Sequence, residues 1–313
     1  MPRMPRPKPP TRSKAAYEAV RRIIKHHLGK GPVKVSPQEG GLSNLVFFVE
    51  HGSEEYVVRL NLRRDRLNPF LKEQWATTCA GKAGVPVPQI LEVGNDPFPF
   101  MVLRKSPGQA ADHNPERLRI IYDLGRYASR INAIVTHGFG ATFDWSHNQL
   151  SQNEGWHEFL HTEIRLDHRL RVLRRLRMVS DKQAETIRDV LESACRKGRR
   201  PALNHGDLRP KNVLVDDKNR ITAILDWENC TSSLAPEWEL AIALHDLSID
   251  EKHEFLGGYG IGTKTLAAIA PAIKALNLIH YVPSLERFAK EKKTEQIAQY
   301  RLRLGGALDL YSL

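Results

Sequence analysis

With 313 residues, 41% of them hydrophobic, and a formal charge of +11, the chain can bury a sizeable core as one large domain or two lobes. Cys79, Cys195 and Cys230 are too few and too widely spaced for a disulfide scaffold and fit reduced thiols in a cytoplasmic protein. The apolar run around Leu266–Ile273 is too short to span a bilayer and carries Pro271, and the basic N-terminus lacks the apolar core of a secretory signal, so no membrane partner is expected.

Residues 1–14 hold five basic residues, five prolines and no acids, and read as a disordered tail because they have too little apolar surface to bury. Ala16, Tyr17, Val20, Ile23, Ile24 and Leu28 then recur at helical spacing, and Gly29 closes the run. Three strands follow, one ending near Gln38, one over 44–50 and one over 55–60, the last two joined by the turn His51-Gly-Ser-Glu54. Asn68-Pro69 reads as a helix start with Asn68 as cap, and that helix is expected to face Leu71, Trp75 and Cys79 inward. Strands over 89–93 and 100–103 flank the turn Gly94-Asn-Asp-Pro97.

From Pro115 onward the pattern is mostly helical. Leu118, Ile121, Leu124, Ala128 and Ile131 line one helix, and others are expected over 154–177, over 182–197 and from 236 to the end. Arginines crowd 165–200, but they mingle with Asp167, Asp181, Glu185, Asp189 and Glu192, and Leu170, Val172, Leu173 and Leu176 supply an apolar face. No aromatic interleaving accompanies them, so a solvated helix face is the better reading and nucleic acid is not an expected partner.

The richest stretch is Leu203-Asn-His-Gly-Asp-Leu-Arg-Pro-Lys-Asn-Val-Leu-Val215 followed by Ile224-Leu-Asp-Trp-Glu228. Val213–Val215, a polar turn over 216–220 and a return over 221–225 predict a hairpin, with Asn212 and Asp226 placed symmetrically about Asn219 at its open end. Asp207 lies in the loop that enters that end. Phosphoryl transfer needs such groups: a carboxylate to accept a hydroxyl proton, and two oxygen ligands to hold magnesium on the phosphates.

His205-Gly-Asp-Leu-x-x-x-Asn212 with Ile224-x-Asp-Trp-Glu228 resembles the aminoglycoside phosphotransferase-like kinases, small-molecule kinases related to protein kinases. The resemblance implies an α+β, bilobal protein-kinase-like fold: a β-rich small lobe over 15–106 with five strands and one inserted helix, and a mostly helical large lobe over 107–313. Arg104-Lys-Ser-Pro-Gly108 would be the hinge between them. It implies Asp207 as base, Asn212 and Asp226 as Mg2+ ligands, and Arg209 at the transferring group; His205 reads as a brace of the loop. Glu39-Gly-Gly-Leu-Ser-Asn44 falls where a kinase covers the phosphates, which makes Gly41, Ser43 and Asn44 nucleotide-binding positions, together with Met101 and Leu103 of the fifth strand. Arg59 occupies the third-strand place of the usual phosphate-binding Lys, and Glu73 on the next helix is its natural partner.

About ten residues separate Asp226 from Pro236-Glu-Trp-Glu-Leu-Ala241, too few for a peptide-docking segment, so the partners implied are ATP or GTP and a small hydroxylated acceptor. An aminoglycoside and a metabolite are equal candidates, and Glu154, Glu158, Glu228 and Asp246 are candidate acids around it. Glu239 and Asn132 depart from the family pattern, which has Asp and often His there. The alternative is a catalytically weak nucleotide-binding regulator, kept open by Arg59. Two other motifs compete. His157-Glu-Phe-Leu-His161 matches the zinc-hydrolase pattern, with Glu185 as a downstream acid, but reads better as a helix face near the acceptor. Gly257–Thr265 misplaces its Lys by one residue for a P-loop and reads as a Gly-rich helix connector.

Overall fold

The computed structural model describes residues 14–29, 31–38, 44–144, 147, 149–195 and 199–309. The tail expected over 1–14 lies outside them apart from Lys14, the first residue of α1 (Lys14–Leu28). An antiparallel five-stranded sheet follows: β1 (Val33–Gln38), β2 (Leu45–His51), β3 (Glu54–Leu60), then α2 (Leu67–Lys82), β4 (Ile90–Gly94) and β5 (Phe100–Arg104). Its strand order is β1-β2-β3-β5-β4, so β3 lies at the centre and pairs with β5, although α2 and β4 come between them in the chain.

Strand alternation decides what each face meets. Tyr56, Val58 and Leu60 of β3 join Phe47, Val49, Phe100 and Val102 against Ala16, Ala19, Val20, Ile23 and Ile24 of α1. Each large aliphatic or aromatic side chain buried there contributes about 1.5–3 kcal/mol, which makes α1 an integral cover of the sheet. The opposite parity, Val57 and Arg59 of β3 with Met101 and Leu103 of β5, faces α2, where Phe70 packs on the two β5 residues. Pleat parity thereby sends Arg59 towards α2.

The large lobe begins with β6 (Gln109–Ala110), α3 (Arg117–Asn132), β7 (Phe143–Asp144) and β8 (Gln149–Leu150). Helices α4 (Trp156–Thr162), α5 (Leu166–Arg175) and α6 (Asp181–Ser193) lead to β9 (Ala202–Asn204), β10 (Val213–Val215), β11 (Ile221–Ile224) and β12 (Thr231–Ser233). The chain continues through α7 (Glu237–Ala243), α8 (Ile249–Tyr259), α9 (Thr263–His280), α10 (Val282–Lys290) and α11 (Thr294–Asp309). α3 and α8 pack backbone to backbone: a Cβ on Gly125 would stand 2.1 Å from the Phe255 carbonyl oxygen, and one on Gly258 would stand 1.9 Å from that of Tyr122.

Several local expectations are corrected. Asn68 does not cap α2: a 3-10 turn at Arg64–Arg66 leads into a helix starting at Leu67, and the Asn68 amide instead exchanges two hydrogen bonds with the Phe143 backbone, at 2.8 and 3.1 Å. The buried stripe of α2 is Phe70, Lys72, Glu73, Ala76, Thr77 and Ala80, while Leu71, Trp75 and Cys79 are half-buried. Leu118 is exposed, and Ile120 takes its place in the core. The helix expected over 154–177 is two, because Arg165 adopts a left-handed φ of 58° between α4 and α5. Ser180 then starts α6 with a capping box to Gln183. Gly257 and Gly258 lie inside α8 at the α3 contact, and only Gly260, at φ +77°, and Gly262 form the connector. The stretch Thr263–Lys290 is long and apolar enough to cross a membrane, longer than the run read from sequence, but 56% of its most apolar window is buried, with Ile273, Leu276 and Ile279 in the core.

Candidate active site

β9 and β12 pair antiparallel and present the loop His205–Arg209 at their end. Gly206 has φ +76°, and a Cβ there would sit 2.4 Å from the Asn229 carbonyl oxygen, so the turn depends on glycine. The fully buried Glu239 of α7 clamps this loop: His205 N–H donates to Oε2 at 2.5 Å and Gly206 N–H to Oε1 at 3.3 Å. Burial pushes the Glu239 carboxyl up to about 7, while the two amide donors restrain the rise. Asn132 stands beside it, donating to the Leu203 carbonyl at 2.9 Å and accepting from Tyr259 Oη at 2.9 Å. Both departures from the expected motif therefore serve to brace one loop.

His205 is fully buried against the Trp227 indole, ring centroids 4.5 Å apart. Asp207 N–H donates to its Nδ1 at 3.2 Å, and its Nε2 lies 3.0 Å from the Leu225 carbonyl oxygen. An amide only donates and a carbonyl only accepts, so the ring is neutral with its proton on Nε2. Burial pushes its pKa down to about 4, in keeping with that state. The histidine thus ties the Asp207 loop to the strand that delivers Asp226.

The hairpin forms as the residue types predict, in a register one residue away from perfect symmetry: Val213 pairs with Ile224, and Leu225 N–H donates to the Asn212 carbonyl at 2.7 Å. Asn212 Nδ2 donates to the Asp207 carbonyl at 2.9 Å and to its Oδ2 at 3.0 Å. Both protons spent, the Asn212 amide keeps its oxygen for another ligand. Asp226 turns out of the strand at a left-handed φ of 65°. Burial raises its carboxyl pKa, Arg59 opposes that rise, and no described residue hydrogen-bonds the carboxylate. A half-buried carboxylate without a proton donor beside a free amide oxygen suits a hard divalent cation.

From the small lobe, Arg59 Nη1 meets Glu73 Oε2 at 2.5 Å, and Nη2 lies 3.8 Å from Glu228 Oε2. Burial works against the Arg59 charge, but the Glu73, Glu228 and Asp226 carboxylates outweigh it and hold the guanidinium above its ordinary value. Burial raises Glu73, and Arg59 limits the rise. Glu73 Oε1 is buried and unpartnered among the described residues. One residue away, buried Lys72 donates from Nζ to the Glu228 carbonyl at 2.5 Å and ties α2 to the turn after Asp226. Lys72 escaped the sequence reading because its spacing marks it only as a helix charge. Met101 and Leu103 lie behind these groups with Phe70, and the Asn44 side-chain oxygen accepts from Asn61 Nδ2 at 2.9 Å. Gly41 and Ser43 lie outside the described residues.

Arg209 reaches over Asp207 with Nε 2.6 Å from Oδ1, an ion pair whose N–H does not point at the oxygen. Its Nη1 lies 2.8 Å from Asp246 Oδ2, and its Nη2 donates to Tyr281 Oη at 3.5 Å. Asp246 also pairs with Arg303 of α11, and Lys211 Nζ lies 3.2 Å from Asp207 Oδ2. Tyr281 and Arg303 were invisible in sequence, for nothing local marks side chains brought in from the last helices. Of the acids expected around an acceptor, Asp246 is held by two arginines and Glu228 faces Arg59, while Glu154 and Glu158 are exposed.

Residues 34–272 match the model of a family described as the phosphotransferase enzyme family, APH. The chain belongs to this family. Solved phosphotransferases share its fold. A ternary complex of the aminoglycoside phosphotransferase APH(4)-Ia with AMP-PNP and hygromycin B superposes with a TM-score of 0.67 at 20% identity, over 94% of this chain and 99% of that one. The GDP and kanamycin complex of APH(2")-IIIa gives 0.61 at 16% identity, over 94% and 98%. An aminoglycoside-3'-phosphotransferase of type VIII gives 0.55 at 18% identity, over 86% and 100%. No curated protein matches the chain. The α+β, kinase-like fold expected from the motifs is the fold of these phosphotransferases, with a sheet-bearing N-terminal region and a helical C-terminal one.

Proposed function

We propose that this phosphotransferase moves the γ-phosphoryl group of ATP, with GTP as the alternative donor, to a hydroxyl of a small molecule. The observation that carries this reading is the convergence of Asp207, Asn212 and Asp226 at one end of the β10–β11 hairpin, with Asn212 bonded to Asp207 and its amide oxygen left free. Residues 15–106 would hold the nucleotide, and 107–313 the acceptor.

The acceptor oxygen bonds to the γ-phosphorus, the bond from that phosphorus to the β–γ bridging oxygen breaks, and the hydroxyl proton passes to a carboxylate oxygen of Asp207. Arg209 and Lys211 hold the Asp207 carboxylate in place, which suits a late proton transfer in which orientation of the hydroxyl matters most. Arg209 also neutralises charge on the phosphoryl oxygens in flight. Asn212 Oδ1 and Asp226 would hold Mg2+, which when bound offsets charge on the β- and γ-phosphate oxygens. Arg59 grips phosphate as a planar fork, oriented by Glu73, and Lys72 holds α2 in register with the Asp226 turn.

Only the turn Trp227–Asn229 and β12 separate Asp226 from α7, which leaves no long segment to dock a peptide and favours a small acceptor. Both an aminoglycoside-type antibiotic and a hydroxylated metabolite fit that size. The pairing of Asp246 with two arginines and of Glu228 with Arg59 favours a neutral or anionic metabolite over a polycation. An ATP-consumption screen over hydroxylated sugars, amino alcohols and aminoglycosides tests this, with Asp207→Asn as control. Turnover confined to neutral or anionic acceptors and absent in the variant is expected. Turnover on aminoglycosides alone would refute the acceptor class, and none on any acceptor would refute the transfer.

A further inference from the structure

The H-E-x-x-H segment, unused by phosphoryl transfer, meets a carboxylate that its sequence did not reveal. His157 and His161 stand four residues apart on α4, and Glu192 stands near the end of α6. One ligand atom from each lies within 4.8 Å of the other two. His161 Nε2 is 3.6 Å from Glu192 Oε1, shut off from solvent, and without a hydrogen-bond partner among the described residues. Its other ring nitrogen, Nδ1, faces Asp167 Oδ2 at 3.5 Å, and Arg188 holds Asp167 at 2.6 Å. A metal-bound imidazole is oriented in this way: a carboxylate takes the proton of one nitrogen, and the other nitrogen keeps its lone pair.

We propose that His157, His161 and Glu192 form a Zn2+ site that clips α4 to α6, separate from the phosphoryl-transfer centre. Zinc–ligand bonds of about 2.0–2.2 Å place tetrahedral ligand atoms about 3.3 Å apart, so the 3.6 Å pair needs a movement of only tenths of an ångström. His157 is exposed and free to turn the remaining distance. Glu185, the acid expected from sequence, is not in the cluster. Arg188 lies 3.9 Å from Glu192 Oε1 but sits closer to Asp167, where it supports the outer carboxylate instead of displacing the cation. Glu158, which a zinc hydrolase with this motif would use as its base, accepts from the Glu154 amide at 3.0 Å. The site is therefore assigned to holding two helices together and not to hydrolysis.

The test uses untagged full-length protein, stripped with EDTA and loaded with Co2+ in excess Mg2+, so that hard-ligand sites are filled. A visible band typical of tetrahedral Co2+, bleached by one equivalent of Zn2+, is expected. His161→Ala and Glu192→Gln should weaken binding by about 100-fold and Asp167→Asn by about 10-fold. The melting temperature should rise by about 4 °C with saturating Zn2+ in the wild type and stay fixed in His157→Ala/His161→Ala. Because His157 is exposed, a metal-free His157→Ala that melts like the wild type separates lost binding from misfolding. Absence of the band, or the same band in the double variant, would overturn the proposal.

Discussion

The Arg59–Glu73 pair joins the sheet to α2, and breaking it measures how much of the proposed nucleotide grip depends on that link. The Glu73 side chain is 4% exposed and that of Arg59 15%, with 2.5 Å between them. At an effective dielectric near 20, two unit charges about 4 Å apart attract by about 4 kcal/mol, and removing one partner of a buried pair costs about 3–5 kcal/mol. In Glu73→Gln, Arg59 would still have Glu228 at 3.8 Å and Asp226 nearby, so the loss should fall at the low end, about 3 kcal/mol. Urea unfolding of the wild type, Glu73→Gln, Arg59→Met and the double variant closes a cycle whose coupling should be about 2–3 kcal/mol. The double variant should be less damaged than the sum, because it leaves no lone charge behind. Nucleotide titrations should show Glu73→Gln weakened, since a guanidinium without its partner swings towards Glu228. Additive losses with unchanged nucleotide affinity would refute the account of this pair.

Two further predictions concern the loop and its protons. Gly206→Ala forces a Cβ against the Asn229 carbonyl at φ +76°, and should cost about 2 kcal/mol or more in thermal unfolding, with turnover falling further than nucleotide affinity. Burial pushes His205, His245 and His280 down to about 4, so each takes a proton on unfolding below about pH 6.5 and stability falls as pH drops towards 4. Glu239, pushed up to about 7, acts with the opposite sign: its share of stability is present below the usual carboxylate range and is lost as pH rises through 7. Three histidines against Glu239 leave a net loss of stability on acidification from pH 6.5 to 5, opposed in direction by the raised carboxyls of Glu73, Asp226 and Glu228. Urea midpoints that are flat or rising on acidification would contradict this.

Short-range chemistry was legible in the sequence, and long-range partnership was not. The hairpin around Asn219 could be read because apolar runs and a polar turn lie within a few residues of each other, and it misled by one register step. Arg59 and Glu73 could be paired because the resemblance to the kinases puts a phosphate-binding cation on the third strand and its carboxylate partner on the next helix. Asn68 looked like a cap because nothing nearby announces that the backbone of Phe143 will claim its side chain. Arg165 carries no glycine-like signal for its left-handed turn. Glu239 resembled a conservative exchange, and its burial beneath the amides of His205 and Gly206 emerges only once α7 packs under the loop. Tyr281, Arg303 and Glu192 similarly gain meaning from helices folded back onto residues far away in the chain.

The central claim is that Asp207 orients and deprotonates the acceptor in a site whose nucleotide grip lies elsewhere. Nucleotide affinity and turnover of Asp207→Asn, measured side by side with the wild type in Mg2+, test it most directly. Nucleotide affinity within about twofold of the wild type and turnover reduced by about 1000-fold, or roughly 4 kcal/mol, are predicted. Turnover undiminished in the variant would contradict the claim.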